Sequence, residues 1–190
     1  MTHTLHRTGS LKSFQDDYIV TMLCAEGINV SGSLPKFRRY CEMALEHGAV
    51  KIGVPDLGKA HKHWDVNTLL VSLSRKVKLI HAIFKDSDDV IRFLRAVKET
   101  DFGLSIVVTG VFDEIAEITK QVGLERNSIN QSLGFWGRAD KLPAPEILEI
   151  NTMCGHGMVP VKLIQNVINK TKKGSCTPEE GAEKLGFPCT

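Results

Sequence analysis

Short apolar runs alternate with segments of helical period through the first 136 residues, and this alternation constrains the fold more than any other feature of the chain. Five runs rich in β-branched residues predict strands, at residues 17–24, 50–54, 79–84, 104–108 and 128–136. Apolar residues three and four apart predict helices between them, starting near Pro35, Asp65, Asp86 and Gly110. This order is typical of an α/β protein with a mostly parallel sheet of about five strands and helices on both faces.

The segment Thr68–Leu73 leaves an alternative open, because its apolar and β-branched residues also fit a strand. A helix fits better, since one helical face collects Val66, Leu69, Leu70, Leu73 and Val77. If the segment is a strand, the favoured arrangement becomes α+β, a split β-α-β of the ferredoxin-like kind.

The remainder of the chain, from Pro143, predicts helices only, at about 145–153, 161–172 and after Thr177. Thr177, Pro178 and Glu180 form a capping-box pattern at the start of the last one. A length of 190 residues fits a single domain. Its predicted parts are a polar arm at 1–15, an α/β core at 16–142 and a helical tail at 143–190.

The composition argues against several classes of partner. Lys and Arg number 24 against 22 acidic residues, so the sequence predicts no nucleic-acid partner. No apolar run reaches the roughly 18 residues that a membrane helix needs, and the polar start lacks a signal peptide's apolar core. Five scattered cysteines do not suggest a disulfide framework. We therefore expect a cytoplasmic protein with reduced thiols, a small-molecule ligand and no membrane partner; a homo-oligomer stays open.

The stretch Asn151–Pro160 carries the densest chemistry in the chain. Cys154 and His156 stand two residues apart, and each is followed by a glycine. An imidazole near a thiol favours the thiolate, so the pair predicts a catalytic nucleophile with its base. In the alternative, Gly155 and Gly157 serve a turn between helices, with Cys154 buried and His156 capping carbonyl groups.

A metal site is a second hypothesis for the same residues. The predicted ligands are Cys154 and His156, together with His61 and His63 on a loop, and Cys176 and Cys189 could join them. Thiolates and imidazoles select zinc or iron, including an iron-sulfur centre. No spacing matches a standard zinc signature, so the cofactor stays unknown.

Thr109 and Gly110 predict an anion site, because they lead from a strand directly into a helix whose first amides attract negative charge. A parallel sheet would bring the strand-end loops to one rim. That rim would collect Cys24, Glu26, His61, His63, Lys85, Asp86, Thr109, Gly110, Arg138 and Asp140. Gly-rich nucleotide loops and the nucleophile elbow of hydrolases are missing from the sequence.

The leading hypothesis is an enzyme-like cytoplasmic protein that binds a small anionic metabolite, with Cys154 and His156 at its site. One alternative is a non-catalytic ligand-binding or assembly module whose cysteines are structural. Another is a zinc or iron-sulfur protein.

Overall fold

The computed structural model describes residues 7–55, 66–73, 77–132 and 134–188. The chain divides into two compact units. One unit is Leu11–Asn127, and the other combines Met1–Ser10 with Ser128–Thr190. The single domain expected from the length stays a prediction.

The unit Leu11–Asn127 contains the sheet, and its helices and strands follow the predicted order closely. Its elements are α1 (Leu11–Phe14), β1 (Tyr18–Leu23), α2 (Ser33–Glu46), β2 (Lys51–Gly53), α3 (Val66–Ser72), β3 (Leu79–Phe84), α4 (Ser87–Thr100), β4 (Ser105–Thr109) and α5 (Phe112–Val122). The preference for a helix over a strand in α3 is confirmed.

In the described residues, four strands form one open sheet in the order β2-β3-β1-β4, and every neighbouring pair is antiparallel. The prediction of a mostly parallel sheet of about five strands is therefore wrong. β1 and β2 run in the same direction but are separated by β3, while β3 and β4 are separated by β1. The crossover β1-α2-β2 passes over β3, and the crossover β3-α4-β4 passes over β1. The parallel strands of each crossover are therefore never neighbours in the sheet. This is the split β-α-β order, although α3, the segment expected to decide for it, is helical.

Helices α2 and α4 pack on one face of this sheet. The expectation of helices on both faces stays a prediction. On that face Tyr40 of α2 is fully buried, and its hydroxyl donates to the Val20 carbonyl at 2.8 Å. Phe93 of α4 meets Tyr40 edge-on, with ring centroids 5.2 Å apart, and lies 5.1 Å from the ring of Phe84. Alternate strand residues complete this core: Val20, Met22, Ile80, Ala82 and Phe84.

Side chains bond backbone groups at the start of α4 and at the end of α5. Asp86 caps α4 and accepts hydrogen bonds from the amides of Asp88 and Asp89. Gly123 ends α5 at φ 68°. Lys98 of α4 donates to the carbonyl of Gly123 at 2.8 Å and so ties the end of α5 to the neighbouring helix.

Tyr18 links β1 to α5. Its hydroxyl donates to Glu114 Oε2 at 2.8 Å, and Gln15 approaches the other carboxylate oxygen at 3.4 Å. Burial, followed by the hydrogen bond to Glu114, raises the pKa of Tyr18 to about 12.

The described residues of the second unit form helices joined by irregular segments. It contains a short 3-10 helix (Ala139–Lys141), α6 (Pro145–Asn151), α7 (Val161–Lys172) and α8 (Pro178–Gly186). Its small core consists of Val159, Ile164, Val167 and Leu185. The capping box of Thr177 and Glu180 is confirmed. The strand predicted at 128–136 is wrong for the described residues of that range, which are irregular; Gly134, at φ 94°, interrupts its extended pattern.

Replacing Gly48 by alanine should destabilise the first unit more than the same change at Gly32. Both glycines have positive φ, 91° and 78°, which costs an L-residue roughly 1 kcal/mol. At Gly48 a Cβ would also collide with the carboxylate of Asp89, whereas at Gly32 nothing lies within 4 Å. We expect Gly48→Ala to cost about 1 kcal/mol more, measured by urea unfolding. Equal losses would contradict the contact with Asp89.

Tyr18 should ionise only at high pH, and in the variant Glu114→Gln it should ionise at a lower pH than in the unaltered chain. The pKa is raised from 10.0 in the folded state, so this group's stabilising contribution is complete below pH 10 and is lost as pH rises toward about 12. Removing the carboxylate should lower the pKa of Tyr18 while leaving it above 10, because burial is the larger cause.

Ultraviolet absorbance of tyrosinate measures this titration. The chain has two tyrosines, and burial raises the pKa of Tyr40 well above its ordinary value. The variant Tyr18→Phe identifies the absorbance step of Tyr18, because that step should be missing from its titration curve. An unchanged curve in Glu114→Gln would show that the carboxylate does not act on the phenol.

Candidate functional site

Cys154 and His156 lie in the turn between α6 and α7. Gly155 and Gly157 have φ of 76° and 63°, so both glycines provide the left-handed backbone that the turn alternative expects. Cys154 is half-buried and His156 is exposed. The turn therefore places the thiol and the imidazole near each other in sequence on a strongly bent backbone.

Hydrogen bonds from the end of α6 hold this turn. The side-chain amide of Asn151 donates to the Val159 carbonyl at 2.7 Å and, at 3.4 Å, to that of Gly157. The Gly155 amide donates to the Thr152 carbonyl at 2.7 Å. Thr152 is buried, and its hydroxyl accepts from the amide of Thr8. These bonds support the structural alternative, while the catalytic roles of Cys154 and His156 stay predictions.

The predicted metal ligands are only partly within the described residues. His61, His63 and Cys189 lie outside them. Among the residues that the structure describes, no three His, Cys, Asp or Glu side chains are grouped closely enough to hold an ion. Cys176 is buried before α8, with its Sγ 3.6 Å from Lys184 Nζ.

The segment Thr109–Gly110 has a packing role at the end of β4. A Cβ on Gly110 would lie 3.0 Å from both Tyr18 Cδ1 and Ile115 Cδ1, so glycine allows the backbone to approach these side chains. The first turn of α5 already carries two carboxylates, Asp113 and Glu114, which complement the helix start and disfavour a second anion there. An anion site at Thr109 and Gly110 stays a prediction.

The single rim expected from a parallel sheet does not form, because the carboxyl ends of antiparallel strands lie at opposite ends of the sheet. Cys24 and Glu26 follow β1, and β2, which runs in the same direction, ends at the same end of the sheet. Lys85 and Asp86 follow β3, and Thr109 with Gly110 stands at the end of β4, at the opposite end of the sheet. The predicted convergence is therefore wrong for these residues.

A polar pair that the sequence analysis missed lies at the centre of the sheet. Thr21 of β1 is directly opposite His81 of β3, and Thr21 Oγ1 lies 2.8 Å from His81 Nδ1. Both are buried, with 7% and 8% of their surfaces exposed. Because side chains alternate along a strand, both lie on the face away from α2 and α4.

This pair differs from the other buried polar side chains of the described residues. The hydroxyls of Ser33, Thr119 and Thr152 bond carbonyl groups three or four residues earlier in the chain. The Thr21–His81 bond instead joins two strands that are 60 residues apart in sequence. A histidine within the apolar run of β3 was the available signal, but it gains meaning only once the register places Thr21 opposite.

We call the surface around this pair the His81 face. Gly53 is opposite His81 on one side, and Val107 is opposite Thr21 on the other. The strand residues that share this face are Ile19, Thr21, Leu23, Lys51, Gly53, Leu79, His81, Ile83, Ser105, Val107 and Thr109. The residues nearest to His81 and Thr21 on this face are aliphatic or glycine, whereas Lys51, Ser105 and Thr109 lie at the strand ends. None of these strand residues carries a carboxylate, and Lys51 is the cation at the margin.

Large apolar side chains are exposed in the irregular segment before α6. Trp136 is 81% exposed, Phe135 46% and Ile129 50%. Exposed aromatic residues are typical of surfaces that bind other proteins, so this observation favours the assembly alternative.

Comparisons with known protein families, with curated proteins and with solved structures find no match to this chain. No described helix combines the length and the apolar character that crossing a membrane requires.

Replacing Asn151 by alanine should open the turn that carries Cys154. Losing the bond to the Val159 carbonyl costs about 1 kcal/mol, which corresponds to roughly fivefold more frequent opening. We therefore expect about fivefold faster alkylation of Cys154 by iodoacetamide, followed by peptide mass spectrometry. Asn169→Ala, on the exposed surface of α7, is the matched control. Equal rates in both variants would show that Asn151 does not hold the turn.

Proposed function

We propose that the protein binds a small anionic metabolite on the His81 face, in the cytoplasm. The observation that carries the proposal is the Thr21–His81 bond at the centre of a sheet face, with aliphatic side chains next to it on the strands. Ligand sites commonly combine apolar walls with a few placed polar groups, and this face has that composition.

The charges of the face favour an acid as the ligand. An imidazole N–H of His81 would offer a hydrogen-bond donor, and Lys51 adds a positive charge on the same face. The described strand residues of this face include no carboxylate. The aliphatic neighbours suit an apolar body, so the ligand class is a small carboxylic acid with a branched aliphatic or aromatic part.

Thr21 acts on the ligand through His81. Its hydroxyl holds the Nδ1 edge of the ring, which fixes the ring plane and directs Nε2 away from Thr21. Gly53 has no side chain beside the imidazole, so it allows close approach from that side. Thr21 is thus a positioning residue, and His81 is the binding residue.

The location in the cytoplasm is supported by the thiols. Cys24, Cys41 and Cys176 are free cysteines, and reduced thiols are typical of a reducing compartment. The proposed binding uses residues of the unit Leu11–Asn127 and assigns no role to Cys154 or His156.

A matched pair of probes tests the proposal: 4-methylpentanoate and its uncharged amide. We expect the acid, but not the amide, to shift the imidazole resonances of His81 in nitrogen-15 NMR spectra. Thr21→Val should weaken binding of the acid by about fivefold, because the ring loses the bond that orients it. Thr109→Val makes the same chemical change on the same face, away from His81, and should leave binding unchanged.

Two results would refute this site. One is an equal response to the acid and the amide, which would exclude recognition of the carboxylate. The other is binding of the acid that is unaffected by His81→Gln in a variant with an unchanged circular dichroism spectrum.

A further inference from the structure

The two edges of the sheet differ in how well they resist pairing with another strand. β2 has three residues, begins with the exposed Lys51 and is followed two residues later by Pro55. Short length, lysine and proline are the devices by which natural proteins block an edge. β2 is therefore a protected edge.

β4 has none of these devices. It is five residues long with the sequence Ser-Ile-Val-Val-Thr, which contains four β-branched residues and no charge, proline or glycine. Ser105 is exposed and the other four residues are half-buried, in contrast to the central strands. Within the described residues β4 pairs with β1 alone, so alternate backbone amides and carbonyls point outward from the sheet.

We propose that β4 is a dimerisation edge that pairs antiparallel with β4 of a second copy of this chain. A two-fold axis through Val107 makes the strand its own partner: Val107 meets Val107, Ile106 meets Val108, and Ser105 meets Thr109 of the other copy. The result is a continuous eight-stranded antiparallel sheet from two four-stranded sheets.

The residues of β4 are compatible with antiparallel pairing between two copies of this strand. Because the strand is uncharged, the two copies meet without repulsion between like charges. Ile106 and Val108 are partly buried against the core of their own unit, so their cross-strand contacts would extend an existing apolar layer. Val107 lies on the opposite face, where β-branched side chains pair well across strands.

Two double variants at one pair of positions test the register. In Ser105→Lys with Thr109→Lys, each lysine would lie opposite another lysine, so the dimer should dissociate. In Ser105→Lys with Thr109→Glu, each lysine would lie opposite a glutamate, so the dimer should persist. Sedimentation equilibrium over a wide range of concentration measures the association, and circular dichroism checks that each variant folds.

Hydrogen exchange on the unaltered chain gives a result that needs no variant. The amides of β4 should become more protected as protein concentration rises, while those of β2 should not. Concentration-dependent protection confined to β4 would support the dimer even if the double-lysine variant failed to fold.

A wild-type chain that stays monomeric at all concentrations would overturn the proposal. A folded double-lysine variant that still dimerises would overturn it as well, because the dimer would then use another surface. Neither outcome depends on the carboxylate site, which is measured by the NMR titration on the His81 face.

Discussion

The antiparallel pairing of β1 with β3 is the contact on which the sheet-containing unit depends. These strands are the two central ones, and all six residues of each are paired, from Tyr18 with Phe84 to Leu23 with Leu79. Each outer strand reaches the sheet only through one of them: β2 through β3 and β4 through β1. The helices depend on the same pair, since the buried Tyr40 hydroxyl bonds the backbone of β1 and Phe93 packs against Phe84 of β3.

Local patterns in the sequence predicted most elements, but they could not predict how the strands pair. Strands β1 to β4 and helices α2, α4, α5 and α7 were found because periodicity, caps and glycine stops are properties of neighbouring residues. Pairing depends on residues far apart, such as Val20 beside Ala82 and Val108. A helix between two strands fixes neither their direction nor whether they are adjacent. Strands β2 and β3 flank α3 and pair antiparallel, whereas β1 and β2 flank α2, run in the same direction and are separated by β3.

The error in topology also explains why the expected rim does not form. A parallel sheet would have gathered the strand-end loops, with Cys24, Lys85 and Thr109, at one rim. The observed sheet sends these loops to opposite ends. Its polar centre lies on a face instead, where Thr21 and His81 are joined by a register that no local pattern encodes. In contrast, the turn at Cys154 was predictable in form, because Gly155 and Gly157 are local signals for positive φ.

The alternation of side chains puts the packed core and the His81 face on opposite sides of this sheet. The residues at positions 20 and 82 face the helices, and their neighbours at 21 and 81 face the other side. A buried imidazole and hydroxyl among aliphatic side chains stabilise a fold less well than two apolar residues of similar size would, because desolvation offsets much of the gain from their hydrogen bond. The core beneath α2 and α4 includes the fully buried Val20, Met22, Ile80 and Ala82, and it lies on the opposite face of the sheet from the pair. The strand register holds Thr21 against His81, and the proposal of a ligand site on the His81 face rests on this oriented imidazole rather than on the strand ends.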